Sequence, residues 1–209
     1  MLKNYEKDHN GVIRQIERKK FVYDVDYIKH GYDDRHAPVD NMSFLRLGYL
    51  LSNLGFVPNN LLDVGYGNGI FLHTAKRIIK NCCGYDIPPA YPLQDIKIVD
   101  NIYKEKFDVV CFFDSLEHFE DIYDIKKIQC DYILISLPWC HYLDDLWFES
   151  WKHRKPDEHL WHFNLDSLNK FMNEIGYEYV CHSNIEDAIR KPVDNLENIL
   201  TGIYKKKYV

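Results

Sequence analysis

Leu61-Leu62-Asp63-Val64-Gly65-Tyr66-Gly67-Asn68-Gly69-Ile70 decides the fold. Residues with the character of a buried strand run into three alternating glycines, and helical spacing begins at Ile70. Glycine has no Cβ and tolerates φ > 0, so such a turn lets a ligand approach the backbone where a strand ends. The next apolar stretch closes with Gly84-Tyr85-Asp86, which sets a carboxylate 23 residues beyond Asp63, in position to take both hydroxyls of a ribose. An adenosine-containing cofactor is the expected ligand. The dinucleotide fingerprint wants a third glycine where this chain has Ile70, and the loop reads G-x-G-x-G instead.

Outward from this turn the texture alternates. Ile70 to Ile79 reads as a helix, and short apolar strands follow at 81–86, 96–100, 107–113 and 132–137. Continuous apolar strands separated by helical stretches indicate a parallel sheet covered on both faces. Upstream, the spacing Phe44, Leu47, Leu50, Leu51, Leu54 predicts a helix with Ser43 as N-cap and Gly55 as its stop. Downstream, Leu165 to Ile175 reads as a helix capped by Asn164 or Asp166 and stopped by Gly176. Residues 177–182 and 199–206 follow with no long helix between them, which predicts an antiparallel pair at one sheet edge. Residues 1–42 show no sustained period and are expected to be irregular or helical pieces, an extension or lid on a domain spanning 43–209.

Composition bounds the function. A chain of 209 residues, 46% hydrophobic and 28% charged, builds one sizeable core, which excludes wholesale disorder. Twenty-six Lys and Arg against 32 Asp and Glu leave a net charge of −6, so non-specific nucleic-acid binding is disfavoured. The runs Arg18-Lys19-Lys20 and Lys205-Lys206-Lys207 read as solvated surface. The longest apolar run, Val109 to Phe113, is far short of the ~18 residues a membrane span needs, and the opening residues carry no signal core. A cytoplasmic protein is expected, its six cysteines reduced and without a Cys-x-x-Cys.

Leu61 to Gly69 resembles the first motif of the class I S-adenosylmethionine-dependent methyltransferases, close to [VL]-L-D-[VI]-G-x-G-x-G. Phe107-Asp108-Val109-Val110-Cys111-Phe112-Phe113-Asp114-Ser115-Leu116-Glu117-His118 resembles that family's F-D-x-V-x-x-x-[DE]-x-L-E-H signature, found in many small-molecule and quinone-type members. Leu134 to Trp139 is similar to its fifth strand ending in proline, and His159, His162 and Phe163 to a histidine-containing segment before its last helix. Tyr66, where cysteine is usual, and the aromatic insert from Trp139 to Trp161 depart from the pattern. The resemblance implies an α/β, Rossmann-like fold: a seven-stranded, mostly parallel sheet with one antiparallel edge strand and helices on both faces. It implies S-adenosylmethionine as cofactor, with S-adenosylhomocysteine as product. Asp86 would bind the ribose, Ile87 would flank the adenine, and Asp100, followed by Asn101, would lie near the adenine amino group. Asp63, Gly65, Tyr66, Gly67, Asn68, Gly69, Asp114 and Ser115 complete the expected cofactor-binding set.

Methyl transfer asks mainly for positioning, exclusion of water and, for a hydroxyl or protonated acceptor, removal of a proton. His118, His141, His159 and His162 are the candidate bases, because only imidazole has an unperturbed pKa near neutrality; His118, His159 and His162 are carried as catalytic candidates. Asp114, Glu117 and His118 stand at i, i+3 and i+4, and on one helical turn could bind a divalent metal with His162. Some methyltransferases with an E-x-x-E-H pattern do so. The plainer reading is a polar pair framing the cofactor pocket, and no metal is expected. Asp63 either touches the ligand or holds the loop through backbone hydrogen bonds. The aromatic residues from Trp139 to Phe163 either cap an acceptor site or form a small aromatic core, and Asp144 and Asp145 near Trp147 could equally be surface charges. Tyr23, Tyr27, His30, Tyr32 and Arg35 either cover the cofactor or belong to the surface. The expected activity is methyl transfer to O, N or C of a small-molecule acceptor. The alternatives are an NAD(P)-dependent oxidoreductase on a related sheet and a non-catalytic cofactor-binding scaffold.

Overall fold

The computed structural model describes residues 3–23, 39–87, 90–192 and 195–208. In chain order its elements are β1 (Tyr5–Lys7), β2 (Ile13–Gln15), α1 (Val39–Leu54), β3 (Asn60–Val64), α2 (Ile70–Ala75), β4 (Asn81–Tyr85), β5 (Lys97–Ile98) and β6 (Lys106–Phe113). Short 3-10 turns at Leu116–His118 and Ile122–Lys127 lead to β7 (Gln129–Pro138), α3 (Asp145–Ser150), β8 (Trp161–His162), α4 (Leu165–Glu174), β9 (Tyr177–Ser183), α5 (Asp187–Arg190) and β10 (Ile199–Lys206). Among the described residues, one sheet has seven strands in the order β5-β4-β3-β6-β7-β10-β9 and the other has three, β1-β2-β8. The chain divides into two compact units, one of Val22–Phe113 and Lys127–Leu134, the other of Met1–Phe21, Asp114–Lys126 and Ile135–Val209.

In the first unit β3 lies between β4 and β6 and runs parallel to both, with Leu62 opposite Cys83 and Val110. Leu61, Leu62, Val109 and Val110 are wholly buried, as a strand covered on both faces requires. The backbone amides of Asn59 and Asn60 both donate to the Asp108 carboxylate, at 2.6 and 3.1 Å, and so pin the register where β3 begins. Helix α1 packs on α2. The Arg46 guanidinium lies over the Phe113 ring at 4.2 Å, and Phe71 meets the same ring edge-on at 4.7 Å.

Two elements of this unit differ from expectation. Helix α1 begins at Val39, so Ser43 is not its N-cap but a buried interior residue on the face that also carries Leu47 and Leu50; the expected boundary at 42/43 falls inside the helix. Its C-terminal stop is where the sequence puts it: Gly55 takes φ 72° and its N–H reaches the Leu51 carbonyl at 3.1 Å. Helix α2 ends at Ala75 rather than at Ile79, the chain tightening into turns that still bury Ile79 just before β4 starts at Asn81.

In the second unit β9 and β10 pair antiparallel, Tyr177 opposite Lys206 and Ser183 opposite Thr201, as their closeness in sequence predicts. Helix α4 opens with a capping box. The Asn164 side chain accepts the Ser167 N–H at 2.8 Å while the Ser167 hydroxyl accepts the Asn164 N–H at 3.1 Å. Residues 5–7 and 13–15, expected to be irregular or helical, are strands instead, β2 pairing with both β1 and β8. Three-residue strands carry no periodicity of their own, and these depend on a partner almost 150 residues later in the chain. The aromatic insert forms a small core in which Tyr5, Ile13, Cys140 and Phe148 are buried and Tyr142, Trp147 and Trp151 pack around them. Asp144 caps α3 by accepting the Trp147 N–H at 2.7 Å, and Asp145 accepts the Tyr142 hydroxyl. Arg18 pairs with Glu120, and Lys206 covers the Tyr177 ring at 4.4 Å. Tyr23 is half-buried, and Tyr27, His30, Tyr32 and Arg35 lie outside the described residues. Among the described residues, no helix is long and apolar enough to cross a membrane.

Candidate functional site

The glycine turn takes the conformation its composition predicts. Gly65, Gly67 and Gly69 all have positive φ, at 78°, 58° and 75°. The Gly65 N–H donates to the Tyr85 carbonyl at 2.8 Å, and the Gly67 N–H donates to the Asp86 carboxylate at 2.9 Å. The other Asp86 oxygen accepts the Ile87 N–H at 2.8 Å. The end of β4 and the turn after β3 are thereby one hydrogen-bonded unit. Burial raises the Asp86 carboxyl above its ordinary pKa, against the opposing pull of those two amides. A Cβ on Gly69 would stand 2.2 Å from a methyl of Leu93, so that position excludes a side chain on space as well as on φ.

Asp63, at the buried end of β3, is 2% exposed, and its Oδ1 has no hydrogen-bond partner among the described residues. Burial pushes its carboxyl up to about 7; Arg46 opposes the shift and Asp86 adds to it. Tyr66 is held inward, its ring against Gly84 and its hydroxyl donating to the Tyr91 carbonyl at 2.7 Å, so it fastens the chain after β4 to the turn. Asn68 accepts the Ile70 N–H at 3.3 Å, and Ile87 is exposed. Asp100 turns its carboxylate to Lys104 at 3.4 Å in solvent, and Asn101 closes a turn by accepting the Tyr103 N–H at 2.8 Å.

A second set of polar groups belongs to the other unit. Asp114 has φ 49°, donates its N–H to the Ser136 carbonyl at 2.8 Å, and receives Arg190 Nη1 on both carboxylate oxygens at 2.9 Å. Arg190 also meets Glu186 at 3.3 Å, and Glu186, wholly buried, accepts the Ser136 hydroxyl. Arg190 is held more firmly protonated by Asp114 and Glu186, which outweigh the opposing effect of burial. Neither Arg190 nor Glu186 stood out in the sequence, where their one signal is the i, i+4 spacing.

Ser115 and Glu117 are buried. Apart from its own backbone amide, Glu117 has no hydrogen-bond partner for either carboxylate oxygen among the described residues. Its carboxyl is pushed well above the usual range by burial and then by Asp114. Glu117, His118 and His159 each bring one metal-ligating atom to within 4.8 Å of the others, and the rings of His118 and His159 meet edge-on at 4.7 Å. His162 lies apart from this set, packed among the rings of Phe148 at 5.1 Å, Trp151 at 5.7 Å and Tyr5 at 5.8 Å. Burial foremost lowers His159 to about 2 and His162 to about 3, so both imidazoles are neutral and weakly basic near pH 7. His141 stacks on Trp139 at 5.5 Å and meets the Glu197 carbonyl at 2.8 Å. The metal set read from the sequence is thus rearranged: Asp114 is engaged by Arg190, and His159 stands where His162 was expected.

The sequence profile of a family described as a methyltransferase domain matches residues 36–182. No curated protein matches the sequence. Among solved structures, a chain of the complex between the Haloferax volcanii Trm112 methyltransferase activator and a methyltransferase is similar at TM-score 0.64 and 12% identity, over 90% of this chain and 100% of that one. The Burkholderia thailandensis 1,6-didemethyltoxoflavin-N1-methyltransferase, with bound 1,6-didemethyltoxoflavin and S-adenosylhomocysteine, is similar at TM-score 0.61 and 13% identity, over 98% and 100% of the two chains. The magnesium protoporphyrin IX methyltransferase of Synechocystis, with bound S-adenosylhomocysteine, follows at TM-score 0.55 and 12% identity, over 90% of each chain. At such identities these likenesses concern the fold.

Proposed function

The chain belongs to the methyltransferase-domain family, and on that premise we propose that it transfers a methyl group from S-adenosylmethionine to an oxygen, nitrogen or carbon of a small-molecule acceptor. The observation that carries the reading is the turn itself: three glycines at positive φ tied through the Gly67 N–H to a carboxylate at the end of the neighbouring parallel strand. Each Asp86 oxygen gives one lone pair to a backbone amide and keeps another, which suits a pair of ribose hydroxyls. Asp63 supplies a buried, unpartnered carboxylate oxygen, which suits the ammonium of an amino-acid moiety. Bound there, the cofactor presents a methyl already activated on a sulfonium, so no nucleophilic side chain is called for.

What remains to the protein is orientation, exclusion of water and disposal of a proton. His159 and His162, at about 2 and about 3, are too weak as bases to take a proton from an acceptor near neutrality. The net charge of −6 favours a small acceptor over a nucleic acid. Six free cysteines, all but Cys181 buried, fit a reducing compartment, and we place the protein in the cytoplasm.

Calorimetric titration of cofactor-stripped protein with S-adenosylhomocysteine tests this reading. Saturable binding is expected, and Asp86→Ala is expected to weaken it about ten- to hundredfold, the equivalent of about 1.5–3 kcal/mol for hydrogen bonds to a charged group. No binding at millimolar ligand defeats the proposal, and binding of NADH in its place promotes an oxidoreductase. Binding without turnover across an acceptor screen leaves a cofactor-binding scaffold.

A further inference from the structure

We propose that the cavity which α3 and the turn after it form with residues 196–198 is a binding site for a planar, single-ring aromatic molecule carrying a negative charge. The inference goes beyond methyl transfer and is read by binding alone, and all the residues that carry it belong to the second unit. The cavity measures about 120 Å³, and His141, Trp147, Trp151, Lys152, Glu197 and Asn198 are among the residues that line it. An apolar cavity of about 150 Å³ takes up benzene, so the space here suits one ring.

The walls are aromatic and built in advance. The Trp147 and Trp151 rings stack on each other at 5.4 Å, the His141 ring stacks on Trp139 at 5.5 Å, and His141 meets Trp147 edge-on at 6.3 Å. Hydrogen bonds fasten the two sides together: the Trp139 N–H donates to the Asn198 carbonyl at 3.0 Å and the His141 ring to the Glu197 carbonyl at 2.8 Å. His153 Nε2 donates to the Asn198 side-chain oxygen at 2.8 Å, and Asn198 Nδ2 donates to the Arg190 carbonyl at 3.2 Å. A pocket with walls already fixed loses little binding energy to ordering.

What the lining still offers selects the ligand. The Ser150 hydroxyl donates to the Leu146 and Trp147 carbonyls, and the Asn198 amide is engaged at both ends, so a sugar, with its many hydroxyls, finds few partners here. Flat apolar surface remains, and with it the Lys152 ammonium, which forms no ion pair among the described residues. Partial burial lowers its pKa, Arg190 adds to the lowering, and Asp187 opposes it. Asp187 is committed to the Asn198 and Ile199 amides at 2.9 and 3.0 Å, and Arg190 to Asp114 and Glu186. An anionic substituent would give Lys152 the counter-ion it lacks while the ring lies against the indoles. Glu197 turns its carboxylate toward His141, at 3.8 Å. Lys152 also repels a cation, which sets aside these indoles as a cage for an ammonium ligand.

The test titrates the full chain with benzoate, benzyl alcohol and benzylamine and follows the indole N–H resonances by NMR, assigned from Trp147→Phe and Trp151→Phe. Benzoate is expected to saturate in the millimolar range and to shift the Trp147 and Trp151 signals. Benzyl alcohol should bind about two- to fivefold more weakly, the scale of one half-exposed charge pair, and benzylamine more weakly still. In Lys152→Gln, a change at an exposed position, benzoate should fall to the affinity of benzyl alcohol, whose own binding stays unchanged. Trp147→Ala should weaken benzoate and benzyl alcohol alike, and if it does not fold the wild-type indole shifts take its place. No saturation by benzoate at tens of millimolar overturns the proposal, as do shifts confined to other residues. An affinity for benzyl alcohol or benzylamine equal to or above that for benzoate overturns it too, as does a benzoate preference that survives Lys152→Gln.

Discussion

Asp63 and Glu117 are both buried carboxyls with unpartnered oxygens, yet they sit in different company. Asp63 has Arg46 within electrostatic reach, and its carboxyl rises to about 7, whereas Asp114 adds to the burial that raises Glu117. An acid whose folded pKa lies above its unfolded value of 3.8 makes the native state hold more protons in between, so its contribution to stability falls as pH rises from about 4 through about 7. Asp63→Asn removes that penalty. The ligand-free variant should therefore gain stability over wild type at pH 8, by up to about 4 kcal/mol, and by less than half of that at pH 5, as read by urea unfolding at the two pH values. A gain of equal size at both pH values would show that Asp63 is not the titrating group. On the proposed function an ammonium beside Asp63 would restore its charged form, so S-adenosylhomocysteine should bind wild type more tightly as pH rises through about 7, and the variant should lose that dependence.

At the scale of elements, what the sequence made legible is what local chemistry dictates. The strand, glycine turn and Asp86 were readable because positive φ and a carboxylate at a strand end each leave a residue-type signature. The Asn164 cap was readable for the same reason, and it supports a test. Asn164→Ala leaves the Ser167 N–H, in a residue 2% exposed, without its acceptor, so the variant should lose about 1–2 kcal/mol by denaturant titration. A loss within error of zero would mean water replaces the cap. The start of α1 was misplaced at Ser43 because a serine before an apolar period looks like an N-cap, and only burial on the Leu47 and Leu50 face shows it to be interior. His162 was grouped with Glu117 and His118 because the sequence cannot show that aromatic rings enclose it while His159 stands beside His118. Arg190 was invisible for a related reason: its partner Asp114 is 76 residues away.

At the scale of the whole molecule, the second unit is assembled from three separated stretches of chain, so its stability rests on contacts that no local window contains. Tyr5 is the clearest of these. It is 6% exposed, meets Phe148 edge-on at 5.1 Å and His162 at 5.8 Å, and has the Arg154 guanidinium over its ring at 5.7 Å. Its strand contributes only three residues at the edge of a three-stranded sheet, and so short a strand holds little by backbone pairing alone. The ring is one of several anchors of residues 5–15, beside the buried Val12 and Ile13 and the Gln15 bonds to Asp157, and it joins that segment to the one from Cys140 to His162. Tyr5→Ala should cost about 3–5 kcal/mol, the range for deleting a buried aromatic side chain, measured by equilibrium denaturation. It should also speed amide exchange in β2 and β8, because β2 bridges β1 to β8. A cost below about 1 kcal/mol with unchanged exchange in β8 would mean that the N-terminal strands rest on the unit without contributing to it. In that case the aromatic core around Phe148 would be sustained by Cys140, Tyr142, Trp147, Trp151 and His162.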